Sequence, residues 1–395
     1  MSKADSIPFF KPSFTSEEEE AVLRVLRSGW LTTGPETLAL EKEFAAYVQS
    51  PYALAVNSAT SGLLLAQQAF GVGPGDKVLT TPYTFISTAT SAVHLGAEVV
   101  YADIEADGFN IDPQAIERAL TQNTGIKAII PVHIAGLPCR MSEIMDIARH
   151  YKVRVIEDAA HSFPSKTKEG WAGNLADAGV FSFYATKTIT CGEGGMICLN
   201  DQQASERIKR LRSHGIDRTI WDRYTSNKAS WLYDVTEAGW KCNLPDILSA
   251  IARVQLTRAE EFRAKRAAIC EQYTKAFNEN PITRELIETP PEGEGHAWHL
   301  YLITLQSDRI KGTRDDFGRM LQEKGISISM HFIPHFSFDW CKKRYNLNPN
   351  DFPNANRRGN NTLTLPLWPE MSKDDVNRVI EAVISTSKAM IRSRP

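Results

Sequence analysis

The stretch Phe181–Gly195, FSFYATKTITCGEGG, sets one lysine, Lys187, between an aromatic strand-like run and a glycine-rich turn. Most lysines lie on solvated helix faces or strand exteriors. This one lies in a short Ser/Thr-rich segment that reads as neither. If Val180–Phe183 is a strand, the lysine is delivered at its carboxyl end, and in open α/β sheets ligands bind there. A lysine becomes a nucleophile when its amine is partly desolvated beside an electrophile. The turn Gly192-Glu-Gly-Gly195 leaves backbone room for a bulky ligand.

Working outward, further strand-like runs are Tyr52–Val56, Lys77–Thr80, Glu98–Tyr101, Ala128–Val132, Arg154–Glu157 and Met196–Leu199. Helix-like stretches fall between several of them: Ser61–Phe70, Ser87–His94, Pro113–Leu120, Ser142–Tyr151 and Gln202–Arg212. This alternation predicts an α/β fold, with a mostly parallel seven-stranded sheet covered by helices on both faces. A long amphipathic pattern then begins at Asn243, with Pro245 near its first turn, and runs to about Phe277. It marks the passage from a large domain, residues 1–243, to a smaller mixed α+β domain, residues 244–395. There the expected elements are strand His299–Leu305, helix Thr313–Lys324, strand Ile326–Phe332 and helix Lys373–Ser387. The early segment Glu17–Ser28 can pack on either part.

The bulk numbers exclude several classes. The chain has 395 residues, 42% hydrophobic and 23% charged, with a formal net charge of -2, which is an ordinary globular balance. No basic stripe suits nucleic acid. Six scattered cysteines without a C-x-x-C pair suggest neither a disulfide framework nor a zinc site, so no metal is expected. The opening MSKADSIPFFKPSF lacks an apolar leader core, and no run reaches the ~18 apolar residues of a membrane span. A cytoplasmic protein is therefore expected.

Three more stretches carry chemistry. In Val153–Ser162, VRVIEDAAHS, a buried-type strand ends in Asp158, with His161 just beyond. Asp158 can cap the next helix, or stand opposite the ring nitrogen of a pyridinium cofactor and keep it protonated. In Val56–Ala66, VNSATSGLLLA, a small polar turn opens a helix. Free backbone N–H groups with the Ser58, Thr60 and Ser61 hydroxyls can bind phosphate, or simply cap the helix. In Thr81–Thr88, TPYTFIST, Phe85 can stack on a flat ring or belong to the core. Phosphate cradle, ring stacker, ring-nitrogen carboxylate and Schiff-base lysine follow in that order along one domain.

With these motifs in place, the chain resembles the PLP-dependent sugar aminotransferases of the DegT/DnrJ/StrS type, which have the fold type I architecture. The likeness runs from SGWLTTGPETLALEKEFAAY through NSATSG, TPYTF, EDAAHS, FSFYATKTITCGEGGM and RSHG to AWHLYLITL, MHFIPHF and LPLWPEMS. The resemblance implies pyridoxal 5'-phosphate (PLP/PMP), with Lys187 as its Schiff-base lysine and acid–base group and Asp158 as the ring-nitrogen partner. It implies His161 near the ring, Phe85 stacked on it, and Ala59, Thr60, Ser61 and Ser182 at the phosphate. It also implies that Asn243 reaches the phosphate of a partner subunit, although WKCNLPDI departs from the usual pattern. Relatives with histidine in place of the lysine resemble sugar 3-dehydratases, so Lys187 argues for transamination. The implied partners are L-glutamate and a nucleotide-linked ketosugar, held between the subunits of a homodimer. Thr32, Thr33 and His331 lie where the family approaches the sugar, while His299 packs behind the site. AWHLY with MHFIP most resembles members that aminate C4 of a UDP-linked 4-keto sugar. C3 amination, a dTDP sugar and a non-catalytic PLP-binding regulator remain as alternatives. The tryptophan-rich stretch Asp217–Trp240 reads as a lid or a dimer arm.

Overall fold

The short apolar runs form the centre of the molecule. The computed structural model describes residues 6–218 and 232–392. In it the runs are β1 (Tyr52–Val56), β2 (Lys77–Thr80), β3 (Glu98–Tyr101), β4 (Ile126–Ile129), β5 (Arg154–Asp158), the short pair β6 (Lys166–Thr167) and β7 (Gly170–Trp171), β8 (Ala178–Ser182) and β9 (Gly195–Leu199). All but β6 and β7 join a seven-stranded sheet in the order β1-β9-β8-β5-β4-β2-β3. β9 runs antiparallel to both of its neighbours, and the other pairs are parallel. The reversal follows from the connection. β9 is reached from β8 through the loop 183–194 instead of a crossover helix, so the chain returns in the opposite direction.

Helices α1 (Ser16–Ser28), α2 (Pro35–Val48), α3 (Ala59–Ala69), α4 (Ser87–His94), α5 (Pro113–Gln122), α6 (Met141–Tyr151) and α7 (Gln202–Leu211) surround the sheet. Strand periodicity divides the core between its two faces. Val180 joins Leu63 and Leu65 of α3 and Ile208 of α7 on one side. Its neighbour Phe181 joins Leu40 and Phe44 of α2 on the other. α3 lies close to β8, where a Cβ on Gly62 would stand 2.6 Å from Val180 Cγ1. Any side chain at residue 62 would push the helix, and the site at its start, away from the sheet.

The expected continuous helix beyond Asn243 is instead two, Asp246–Thr257 and Ala259–Glu279, with a break at Arg258 (φ -101°, ψ 3°). The first packs on α1 and α2. The second carries Tyr273 and Phe277 into a separate apolar core, so the break redirects the chain from one core to the other. That second core covers an antiparallel sheet of β10 (Ile287–Glu288), β11 (Tyr301–Leu305) and β12 (Thr362–Leu365). Helices Arg314–Glu323 and Lys373–Met390 pack against it. The expected strand Ile326–Phe332 is not one. Only Ile326 pairs, with Ile7, and Ser329, with Thr364. Its alternating pattern is spent differently: Ile326 is buried in the small core, whereas Ser329, His331 and Phe332 turn to a cavity.

The early segment is shared. Ile7 joins the core of the small sheet. α1 packs on helix Asp246–Thr257 through Ala21, Val25 and Ala250. Of the stretch Asp217–Trp240, residues 219–231, including Trp221 and Trp231, lie outside the described residues. Trp240 Nε1 donates to Gln68 Oε1 at 2.8 Å. No helix among the described residues is long and apolar enough to cross a membrane.

Candidate active site

Lys187 stands on the loop that reverses the chain. The neck of that loop is closed by hydrogen bonds. Phe183 N–H donates to Gly194 O at 2.9 Å, and Cys191 N–H and Thr190 Oγ1 both donate to Phe183 O, at 3.1 and 3.0 Å. Lys187 N–H closes a turn onto Tyr184 O at 2.9 Å. A segment tied so tightly holds the lysine at the carboxyl end of β8. Lys187 lines a cavity of about 530 Å³ there. The residue as a whole is half-buried, but protein atoms crowd its amine. Desolvation pulls its pKa down to about 8, and the Asp158 charge works against that pull.

Asp158 ends β5 and lines the same cavity. Its carboxylate accepts Thr88 Oγ1–H at 2.8 Å on Oδ2 and Ala160 N–H at 3.2 Å on Oδ1. Burial raises its pKa, and those hydrogen bonds with the Lys187 charge oppose the rise. The result is a carboxylate only partly satisfied by the chain, facing a cavity across from an amine. Thr88 was within the quoted TPYTFIST, but nothing in the sequence linked it to Asp158.

The remaining motif residues converge on this cavity with some adjustments. Ser58 is the N-cap of α3 and accepts Ser61 N–H at 3.1 Å. Ser58, Ala59 and Thr60 line the cavity. Ser61 does not; its hydroxyl is bonded to Asn57 Oδ1 at 2.7 Å and to Ser58 Oγ at 3.0 Å. The amides of Ala59 and Thr60, in the first helical turn, find no acceptor among the described residues. Gly195 lets β9 pass directly beneath them, since a Cβ there would come within 2.9 Å of Ala59 N. Ser182 reaches the cavity from the end of β8. Phe85 is 59% exposed although it sits beside the apolar lining, so it has no core to fill.

His161 and His331 also line the cavity. His161 Nδ1 accepts Ala135 N–H at 3.3 Å, which leaves the proton of its neutral ring on Nε2. Burial holds its pKa well below the ordinary value. His299 lies behind it, with ring centroids 4.5 Å apart. His331 bonds Thr364 Oγ1 through Nδ1 at 2.9 Å, and desolvation lowers its pKa to about 3. Phe332 stacks on His161, and Phe9 on His331. Phe9 and Ser329 come from segments that sequence reasoning did not connect with the site, whereas Phe332 belongs to MHFIPHF, which the resemblance had placed near it.

Thr32, Thr33 and Asn243 are brought together elsewhere and do not line the cavity. Asn243 Nδ2 donates to Thr33 Oγ1 at 2.7 Å, and Thr33 Oγ1 donates to Leu244 O at 2.7 Å. The Thr pair does not cap α2. That role falls to the distant Asp246, whose Oδ1 accepts Gly34 N–H, Thr37 N–H and Thr37 Oγ1–H at 2.8, 3.0 and 2.7 Å.

The donor set fits a phosphorylated aromatic ring. Free helix-start amides and hydroxyls suit phosphate. An exposed aromatic suits a ring face, a buried carboxylate suits a protonated ring nitrogen, and an amine of lowered pKa suits an aldehyde. A family model for the DegT/DnrJ/EryC1/StrS aminotransferase family matches residues 12–384. The spore coat polysaccharide biosynthesis protein SpsC of Bacillus subtilis is 41% identical over 379 residues, 95% of this chain and 96% of that protein. Among solved structures, Spr1654 of Streptococcus pneumoniae in its PMP form has a TM-score of 0.89 at 29% identity, over 97% of this chain and 99% of that one. Its PLP form has a TM-score of 0.88 at 28% identity, with the same coverage. PseC of Helicobacter pylori, an aminotransferase involved in the biosynthesis of pseudoaminic acid, has a TM-score of 0.89 at 27% identity, over 98% of this chain and 100% of that one.

Proposed function

This chain belongs to the DegT/DnrJ/EryC1/StrS aminotransferase family, and from that premise we propose that it moves an amino group from L-glutamate to C4 of a UDP-linked 4-keto sugar. It is a PLP-dependent sugar aminotransferase. One observation carries the reading of the site. The Lys187 amine and the Asp158 carboxylate share a cavity that opens on the unpaired amides of α3.

Pyridoxal phosphate, when bound, supplies an electron sink for a carbanion next to nitrogen. The chain supplies placement and protons. The amides of Ala59 and Thr60 and the hydroxyls of Ser58 and Ser182 hold phosphate, aided by the positive end of α3. Phe85 covers the ring face. Asp158 keeps a proton on the ring nitrogen, and the Thr88 hydroxyl orients its Oδ2. Lys187 Nζ takes and returns a proton at the reacting carbon, and a pKa near 8 lets it do both around neutral pH. His331 and Phe9 wall the side where a sugar would lie. Thr32, Thr33 and Asn243, outside the cavity of one chain, are proposed to serve the site of a second copy in a homodimer. A cytoplasmic location suits this soluble substrate.

The test is spectroscopic. Purified protein with PLP should show the visible band of a lysine-bound cofactor, and L-glutamate should convert it to the near-ultraviolet band of PMP. Lys187→Ala should lack the first band. UDP-4-keto, UDP-3-keto and dTDP-keto sugars are then added to the PMP form. Return of the visible band with the UDP-4-keto sugar alone supports the proposal, and return only with another sugar replaces it. A band that glutamate leaves unmoved refutes glutamate as the donor.

A further inference from the structure

His335 is one of the buried histidines that the mechanism does not use. His335 is fully buried on the segment that follows His331 and Phe332. Its Nε2 lies 3.1 Å from Thr84 O, and its Nδ1 lies 3.2 Å from Tyr101 Oη. A carbonyl can only accept, so Nε2 carries the proton, and the neutral Nδ1 accepts from the tyrosine hydroxyl. Burial lowers the pKa of His335 to about 4, which agrees with a neutral ring. Its own N–H donates to Pro82 O at 2.8 Å. A third tie, Tyr83 Oη–H to His331 O at 2.7 Å, joins the same two segments.

The segment held in this way is the one that bears Phe85. It also leads to Asp158. The Thr88 hydroxyl spends its single proton on Asp158 Oδ2. The 3.0 Å contact between the Thr84 and Thr88 hydroxyls must therefore run from Thr84 to Thr88. One polar route passes from Tyr101 through His335 to Thr84, and on through Thr88 to Asp158. We infer that His335 is a positioning residue for the cofactor: it fixes the turn 81–87 so that Phe85 faces the cavity and Thr88 keeps its hydrogen directed at Asp158. The inference rests on the proposed roles of Phe85 and Asp158. It adds that the C-terminal part of the chain sets cofactor affinity through a residue that never touches the cofactor.

The experiment compares full-length wild type, His335→Phe and His335→Gln, each stripped of cofactor and titrated with PLP. Phenylalanine fills the space and keeps the edge-on contact with Tyr101, but it makes neither hydrogen bond. Glutamine keeps a donor for Thr84 O. His335→Phe should bind PLP about tenfold more weakly and shift the pH at which the visible band of the bound cofactor titrates. His335→Gln should recover most of both. A purely structural role would lower the melting temperatures of the stripped and loaded protein equally, with affinity and band unchanged, and that result overturns the inference. Asp158→Asn, run alongside, separates the two failures. If it also leaves affinity and band unchanged, the role given to Asp158 fails. If it moves them while His335→Phe does not, only the present inference fails. Should His335→Phe yield no folded protein, Tyr101→Phe frees the ring at Nδ1. It should weaken PLP binding by roughly two- to threefold, and unchanged binding overturns the inference.

Discussion

Glu157 and Asp158 are consecutive carboxylates at the end of one strand, and they lead opposite lives. Alternation along β5 sends them to opposite faces of the sheet. Glu157 is fully buried and fully used. It accepts Gly173 N–H at 2.8 Å, Leu175 N–H at 2.7 Å and Ala176 N–H at 3.0 Å, and takes a hydrogen bond from His133 Nε2 at 2.9 Å. His133 Nδ1 in turn accepts Cys139 N–H at 3.1 Å, which fixes the tautomer that can donate to Glu157. Asp158 has one side-chain and one backbone donor, and its remaining capacity faces the cavity. A saturated carboxylate holds a loop in place. An unsaturated one is kept ready for a ligand.

The largest effect should come from the site side of that contrast. Lys187→Ala should lower kcat by about a thousandfold or more, as expected for loss of an acid–base group that also anchors the cofactor, and steady-state rates with glutamate measure it. Asp158→Asn should cost about a hundredfold in kcat yet leave the melting temperature of the cofactor-free protein unchanged or higher. Burial raises this carboxyl's pKa, so the folded state binds its proton more tightly than the unfolded state. Stability therefore falls as pH rises from the ordinary 3.8 through the raised value, and Asn removes that slope. A lower melting point for Asp158→Asn near neutral pH would dissolve the contrast with Glu157.

Glu157→Gln should behave in the opposite way. Three amides and a histidine lose their charged acceptor, which costs about 3 kcal/mol in stability by chemical denaturation, while the folded fraction retains PLP binding. A variant that is stable but cannot bind PLP would place Glu157 in the site. Lys187 supplies a further pH test. Its pKa falls from 10.5 to about 8 on folding, so between those values the folded state binds fewer protons than the unfolded state. Stability of the cofactor-free protein should rise across that interval, and Lys187→Met should lack this part of the rise. The smallest effect sharpens the picture at the rim. Phe85→Leu should weaken PLP binding by roughly fivefold, the worth of one aromatic contact, with little change in stability, because the ring is exposed rather than packed.

Much of this arrangement was legible beforehand. β1, β2, β3 and α4 match their expected bounds, because each is a short apolar or helical run closed by turn residues. The family read from NSATSG, TPYTF, EDAAHS and the lysine loop is the family found. The misses share a cause. The break at Arg258 leaves the amphipathic period intact on both sides, so periodicity cannot reveal it. Ile326–Phe332 alternates like a strand, but a ladder needs a partner along its whole length, and it meets β12 only at Ser329 and Thr364. β12 itself, TLTL, is too short to stand out. Asp246 lies far along the chain from the helix it caps, and Thr88 and His335 act through partners on other segments.

The sequence by itself determined the strand–helix alternation, the order of the chemical motifs and the family, because these depend on neighbours a few residues apart. Only the tertiary structure decided what Glu157, the neighbour of Asp158, is used for and which hydroxyl caps α3 toward the cavity. It also decided that Phe9, Phe332 and His335 gather around the site from both ends of the chain. Hydrogen bonds and burial act between atoms a few ångströms apart in space, and separation along the chain does not report that distance.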